Sequence, residues 1–169
     1  AASDVYKRQG VTTGCVAPAM SSECFITNDS EPLTRTPKAA LACTYDVAGT
    51  DEPLLVVNVH AINVVGLQAF QTQLEQYRDV LQGHAGPILF GGDFNTNTES
   101  KQAFLREFAG EFELQEMEFA DDTRTTSPLL GLPIDYVFTR GLATSQHRVV
   151  GSSDASDHMA LSFQIDSVF

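Results

Sequence analysis

The sequence has 169 residues, 43% of them hydrophobic, which suffices for one buried core and favours one domain. Lys and Arg total 10 against 22 Asp and Glu, giving a net charge of −12; that balance argues against a surface that coats nucleic acid, whose non-specific affinity comes from Lys and Arg neutralising phosphates. No apolar run approaches the roughly 18 residues that a membrane helix needs.

The first residues stand apart from the rest. Asp4 to Gln9, "DVYKRQ", resembles the literal translation of GATGTGTATAAGAGACAG, the end of a transposon adaptor used in preparing sequencing libraries. Residues 1–9 are therefore expected to be a processing scar outside the fold. An open reading frame cut there would lose any signal peptide, so the lack of a targeting segment says nothing of localisation.

Ala39–Val47 and Leu54–Ile62, separated by the turn-like "AGTDEP", are expected to be an antiparallel strand pair. Leu67, Phe70, Leu74, Tyr77 and Leu81 recur at spacings of three and four and predict one amphipathic helix that stops at Gly83. Pro87 opens the strand "ILFGG", whose apolar run predicts burial on both faces. A second helix is expected to start at a Thr98 cap and run to Gly110. "DDTRTTSPLLGLP" is loop chemistry, and short strands are expected at "IDYVFTR", near "QHRVVG" and at "MALSFQI". Cys15, Cys24 and Cys43 are odd in number and lack metal-ligand spacing, so they read as free or buried thiols.

Polar residues mark the ends of these strands. Asn58 and His60 are two apart and share one sheet face, with Val57 and Val59 on the other. Asp93 and Asn95 follow the strand "ILFGG", Asp135 opens "IDYVF", and Asp157-His158 closes a Ser/Asp loop just before a strand. Singly, each reads as a satisfied core histidine, a turn former or a cap.

Together, "NVHAIN", "GGDFNTNT", "IDYVF" and "SDH", in that order, resemble the endonuclease/exonuclease/phosphatase superfamily, whose members include deoxyribonuclease I, exonuclease III, neutral sphingomyelinases and inositol polyphosphate 5-phosphatases. The resemblance covers residues 10–169 and implies an α/β fold: a two-sheet, mostly antiparallel sandwich flanked by helices in four layers, here the C-terminal part of one domain. "NVHAIN" looks like a bacterial branch whose members mostly lack an assigned substrate.

The resemblance implies roles as well. Asp93 would orient or deprotonate the attacking water, and Asn95 would contact the scissile phosphate. His60 and His158 would grip phosphate oxygens or move protons, with Asp135 orienting His158. Asp157 would serve a divalent metal, Mg²⁺ with Mn²⁺ as a substitute. Both Asp93 and His158 are candidate proton acceptors. Lys38 and Arg124 are expected to be solvated surface charges, and no role is expected for His84 or His147.

One departure matters. Superfamily members carry, early in the domain, an Asn on the first catalytic strand and then a Gln-Glu whose Glu is the main metal ligand; this sequence has neither motif there, its Gln and Glu residues lie elsewhere, and Glu23 in "SSECF" stands in another context. The expectation is a fragment that is inactive by itself, from a monomeric parent that hydrolyses phosphoesters with Mg²⁺. A small or lipid-linked substrate is favoured. A nuclease of the same superfamily and a non-catalytic module are the alternatives.

Overall fold

The computed structural model describes residues 11–31, 35–63, 65–151 and 156–169; the adaptor-like residues 1–9 lie outside them. Every second residue of the strand Leu54–His60 (β3) is a valine or leucine on one face: Leu55, Val57 and Val59 are buried, as the alternation predicts. β3 pairs antiparallel with Pro37–Tyr45 (β2), which in turn pairs with Ser21–Ser30 (β1). On its other side β3 pairs in parallel with Ile88–Asp93 (β4), after a connection that carries two helices, Leu67–Glu75 (α1) and Arg78–Gln82 (α2). The sheet continues through Asp135–Arg140 (β6) to the two-residue Gln115–Glu116 (β5), giving the order β1-β2-β3-β4-β6-β5. Leu142–Val150 (β7) and Ala160–Val168 (β8) form a second, antiparallel sheet.

The core lies between the large sheet and its helices. Phe90 packs edge-on against Phe94 and Tyr77, and tilted against Phe138 and Phe108 of the helix Glu99–Glu111 (α3). Each such ring contributes roughly 1.5–3 kcal/mol on burial. On the opposite face, Leu89, Val137, Leu161 and Phe163 join the two sheets together with Met117 and Phe119. The result is the expected α/β sandwich, seen in three layers among the described residues: helices, large sheet, small sheet.

The elements depart from expectation in three places. The predicted helix to Gly83 is two helices, because Gln76 and Tyr77 donate to carbonyls only three residues back, Gln73 and Leu74. Gln73 pins that break: it accepts from the Ile62 N–H and donates to the His60 carbonyl and to the buried Tyr77 hydroxyl. Strand β1 carries no alternation to betray it, since eight of its ten residues are exposed and it sits at the sheet edge. The short β5 was also unexpected. Thr98 caps α3 as predicted, its hydroxyl accepting from the Lys101 N–H at 3.3 Å.

Candidate active site

Strand register places the first three polar residues. In the parallel β3–β4 pair His60 stands beside Asp93, and in the antiparallel β4–β6 pair Asp93 stands beside Asp135. Three neighbouring strands thus present an imidazole and two carboxylates in one row. The row requires close strand approach at Gly92, whose φ is +139° and where a Cβ would lie 2.0 Å from the Val59 carbonyl oxygen; only glycine fits.

Just beyond β4, Asn95 adopts a left-handed φ of 49°, a conformation that Asn tolerates better than most residues. This turns it back onto Asp93. Its N–H donates to Asp93 Oδ1 at 2.9 Å, and its side-chain Nδ2 donates to Asp93 Oδ2 at 3.0 Å and to the Ala61 carbonyl at 2.9 Å. Both amide hydrogens are engaged, so contact with a phosphate would require exchanging one of these partners. His60 Nε2 lies 3.5 Å from Asp93 Oδ2.

The loop before β8 brings in the last pair. His158 Nδ1 lies 2.9 Å from Asp135 Oδ2 and 3.1 Å from Oδ1, within hydrogen-bond reach as expected. The Met159 N–H donates to Thr125 Oγ1, tying this loop to the segment ahead of β6. Asp157 and His158 line a cavity of about 520 Å³ together with His60, Asp93 and Asn95. Five of the six expected residues share that cavity, and the sixth, Asp135, meets it through its contact with His158 and itself lines a neighbouring cavity.

The environment separates the two imidazoles. For His60, burial disfavours the charged ring and the nearby Lys38 ammonium adds to it, so its pKa falls below the ordinary value. For His158, burial also opposes charging, but the carboxylates of Asp135, Asp93 and Asp157 outweigh it and the pKa rises. Burial lifts Asp93 above the usual carboxylate range, with Asp135 reinforcing it. It lifts Asp135 too, against the pull of His158. Below the unfolded imidazole value of about 6.5 the charged His158 contributes its full stabilisation, which is lost as pH rises through the raised folded value. In metal-free protein, NMR titration of the imidazoles should place His158 above and His60 below the free value, and Asp135→Asn should bring His158 down. A His158 that titrates no higher than free imidazole would contradict the pairing.

Two residues expected at the solvated surface are buried instead. Arg124 is 8% exposed, paired with Asp122, donating to the Asp135 carbonyl and stacked 4.9 Å from the Tyr136 ring centroid. Lys38 is 5% exposed and lines the cavity, its Nζ 3.3 Å from Glu31 Oε1. Glu31, which the motifs did not single out, also lines the cavity and accepts the Asn63 N–H. His84 and His147 lie away from the cavity, against the Pro53 and Glu118 carbonyls. The three cysteines are free.

Among the described residues no group of three or more His, Cys, Asp or Glu side chains is arranged to hold a metal ion. The cavity is nevertheless lined by hard oxygen donors on Glu31, Asp93 and Asp157. Carboxylate oxygens are the donor type that suits Mg²⁺, which is commonly held by one or two carboxylates with substrate phosphates and retained water.

Comparison with known proteins agrees with this architecture. The chain is 40% identical over 160 residues to a UPF0294 protein of Vibrio campbellii, an alignment covering 92% of this chain and 55% of that protein; the chain thus spans about half the length of this curated relative. Its fold is similar to the crystal structure of an endonuclease/exonuclease/phosphatase from Bacteroides vulgatus, with a TM-score of 0.64 at 16% identity, covering 88% of this chain and 66% of that one. It is similar also to a mannosyl-6-phosphatase of Bacteroides thetaiotaomicron, with a TM-score of 0.62 at 14% identity and the same coverage. A family model matches residues 10–158, across all the strands that carry the polar row and as far as His158 itself. By that match, the chain belongs to the endonuclease/exonuclease/phosphatase family.

Proposed function

We propose that the protein, at the length of its relatives, is a Mg²⁺-dependent phosphoester hydrolase. The observation that carries this reading is the convergence of two differently tuned centres, Asp93 held by Asn95 and His158 held by Asp135, on one polar cavity. Hydrolysis needs a base for water and an acid for the leaving oxygen. Asp93, lifted by burial, is suited to take the proton as water attacks phosphorus. His158, whose charged form its carboxylate neighbours favour, is suited to give a proton to the alkoxide as the P–O bond breaks. That division favours Asp93 over His158 as proton acceptor. Neutral His60 hydrogen-bonds a phosphoryl oxygen, and Asn95 can exchange its bond to Asp93 for another. Asp157 is the proposed ligand for Mg²⁺, which when bound would supply charge to the phosphoryl oxygens.

A small or lipid-linked substrate fits better than nucleic acid, because a net charge of −12 repels a polyanion. The test is turnover of p-nitrophenyl phosphate and its bis ester by the protein extended to its relatives' length, with Mg²⁺ and with chelator. Asp93→Ala should lower kcat by at least about 10²-fold, the low end of acid–base catalysis. Turnover that survives both chelation and Asp93→Ala would overturn the reading.

A further inference from the structure

The cavity wall holds a charged pair that the reaction above leaves unused. Glu31 follows β1 and Lys38 lies at the start of β2, and their side chains are only 9% and 6% exposed. Two ions withdrawn this far from water lose much of their hydration. A buried ion pair is as a rule no more stabilising than apolar side chains of similar volume, so stability gives little reason to keep this one. Its position gives a better one. Both residues line the same cavity as His60, Asp93, Asn95, Asp157 and His158, and Lys38 is the only Lys or Arg among the described residues that line it. It lies close enough to His60 to disfavour a charge there. Lys38 thus brings an ammonium to a wall that also carries His60, whose charged form burial disfavours, and carboxylates on Glu31, Asp93 and Asp157 that would repel an anionic substrate.

We propose that Lys38 binds a non-bridging phosphoryl oxygen, with Glu31 holding its ammonium in place beforehand, and that this contact makes the site prefer phosphomonoesters to phosphodiesters. The proposal rests on the phosphoester reading above. Near neutral pH a phosphomonoester carries almost two negative charges, its second pKa being about 6, whereas a diester carries one. In a cavity lined by carboxylates the extra charge is costly unless a further cation faces it. Lys38, the one Lys or Arg on this wall among the described residues, is placed to face that extra charge. The four-carbon stem also lets the ammonium move from Glu31 to a ligand without leaving the wall.

The test compares wild type with Lys38→Met, which keeps the stem and removes the charge, in the protein extended to its relatives' length. Lys38→Met leaves Glu31 buried without this cation, so Glu31→Gln/Lys38→Met is made as well to separate binding from stability. In both variants, kcat/KM on p-nitrophenyl phosphate should fall about 10- to 100-fold, mainly through KM, as for a lost hydrogen bond to a charged group. Selectivity for the monoester over bis-p-nitrophenyl phosphate should fall with it. Calorimetric titration with inorganic phosphate and with dimethyl phosphate supplies a readout that needs no turnover, and only phosphate affinity should fall. If wild type hydrolyses neither ester yet phosphate binding still depends on Lys38, the hydrolase reading fails and the Lys38 contact stands. Equal losses for monoester and diester, or phosphate affinity unchanged in a folded variant, would overturn the proposal.

Discussion

Asp135→Asn is expected to lower kcat of the extended protein by about 10²- to 10⁴-fold, the range of acid–base catalysis, with KM changed by less than about threefold. The substitution keeps the shape of the side chain and its place at the start of β6, so the strand register that aligns Asp93 and Asp135 should survive. What it removes is the negative charge 2.9 Å from His158 Nδ1. Without it, burial is opposed only by more distant carboxylates, and His158 loses the charged form that would donate to the leaving oxygen. An amide also offers an N–H where the ring needs an acceptor, which can turn the imidazole or select its other tautomer. These losses are felt as the P–O bond breaks, when the alkoxide needs its proton, and hardly in the ground state. The pH profile should move as well, its alkaline limb shifting to lower pH as the His158 pKa falls. Wild-type kcat with an unshifted limb would remove Asp135 from the mechanism.

The residues that proved legible in the sequence are those whose position follows from local pattern. Alternation in "LLVVNVH" set Asn58 and His60 on one face, and an apolar run ending in Gly-Gly set Asp93 at the strand end; pairing did the rest, since parallel register with β3 and antiparallel register with β6 aligned His60, Asp93 and Asp135. The Asp135–His158 contact came from family resemblance, which no local pattern could have supplied. Lys38 and Arg124 were misplaced for one shared reason. A lone cation in a polar segment reads as solvated, and its burial is made by partners far along the chain: the backbone of Asn63 meeting Glu31, and the Asp135 carbonyl and Tyr136 ring meeting Arg124. Strand β1 was hidden because an edge strand need not bury alternate side chains; among its residues only Thr27 is buried. Likewise, the helix break at Gln76 depends on hydrogen bonds from Gln73 to β3 and the segment after it, which the 3.6-residue period cannot report.

The chain alone is expected to hydrolyse bis-p-nitrophenyl phosphate at least about 10²-fold more slowly than the extended protein, as for loss of a principal catalytic group, and to be the less stable of the two. The first expectation follows from the donor set. Asp157 would have to hold a strongly hydrated dication with little help, and Mg²⁺ gives up its waters reluctantly; turnover by the chain should not saturate at Mg²⁺ concentrations that saturate the extended protein. The second follows from the face between the sheets. Val56, Leu89, Val137, Leu161 and Phe163 surround a largely apolar cavity of about 320 Å³. Among the described residues, the small sheet consists of two strands, each with one side unpaired. Open strand edges beside apolar surface favour association between copies. Extending the chain to its relatives' length should therefore raise Tm, slow amide exchange in β7 and β8, and reduce aggregation, while turnover appears together with saturable Mg²⁺ dependence. Asp93→Ala in both lengths guards against a contaminating phosphatase. Should the soluble chain alone match the extended protein in metal-dependent kcat, with activity abolished by Asp93→Ala, the residues within it would suffice for catalysis and the added length would have no part in holding the metal.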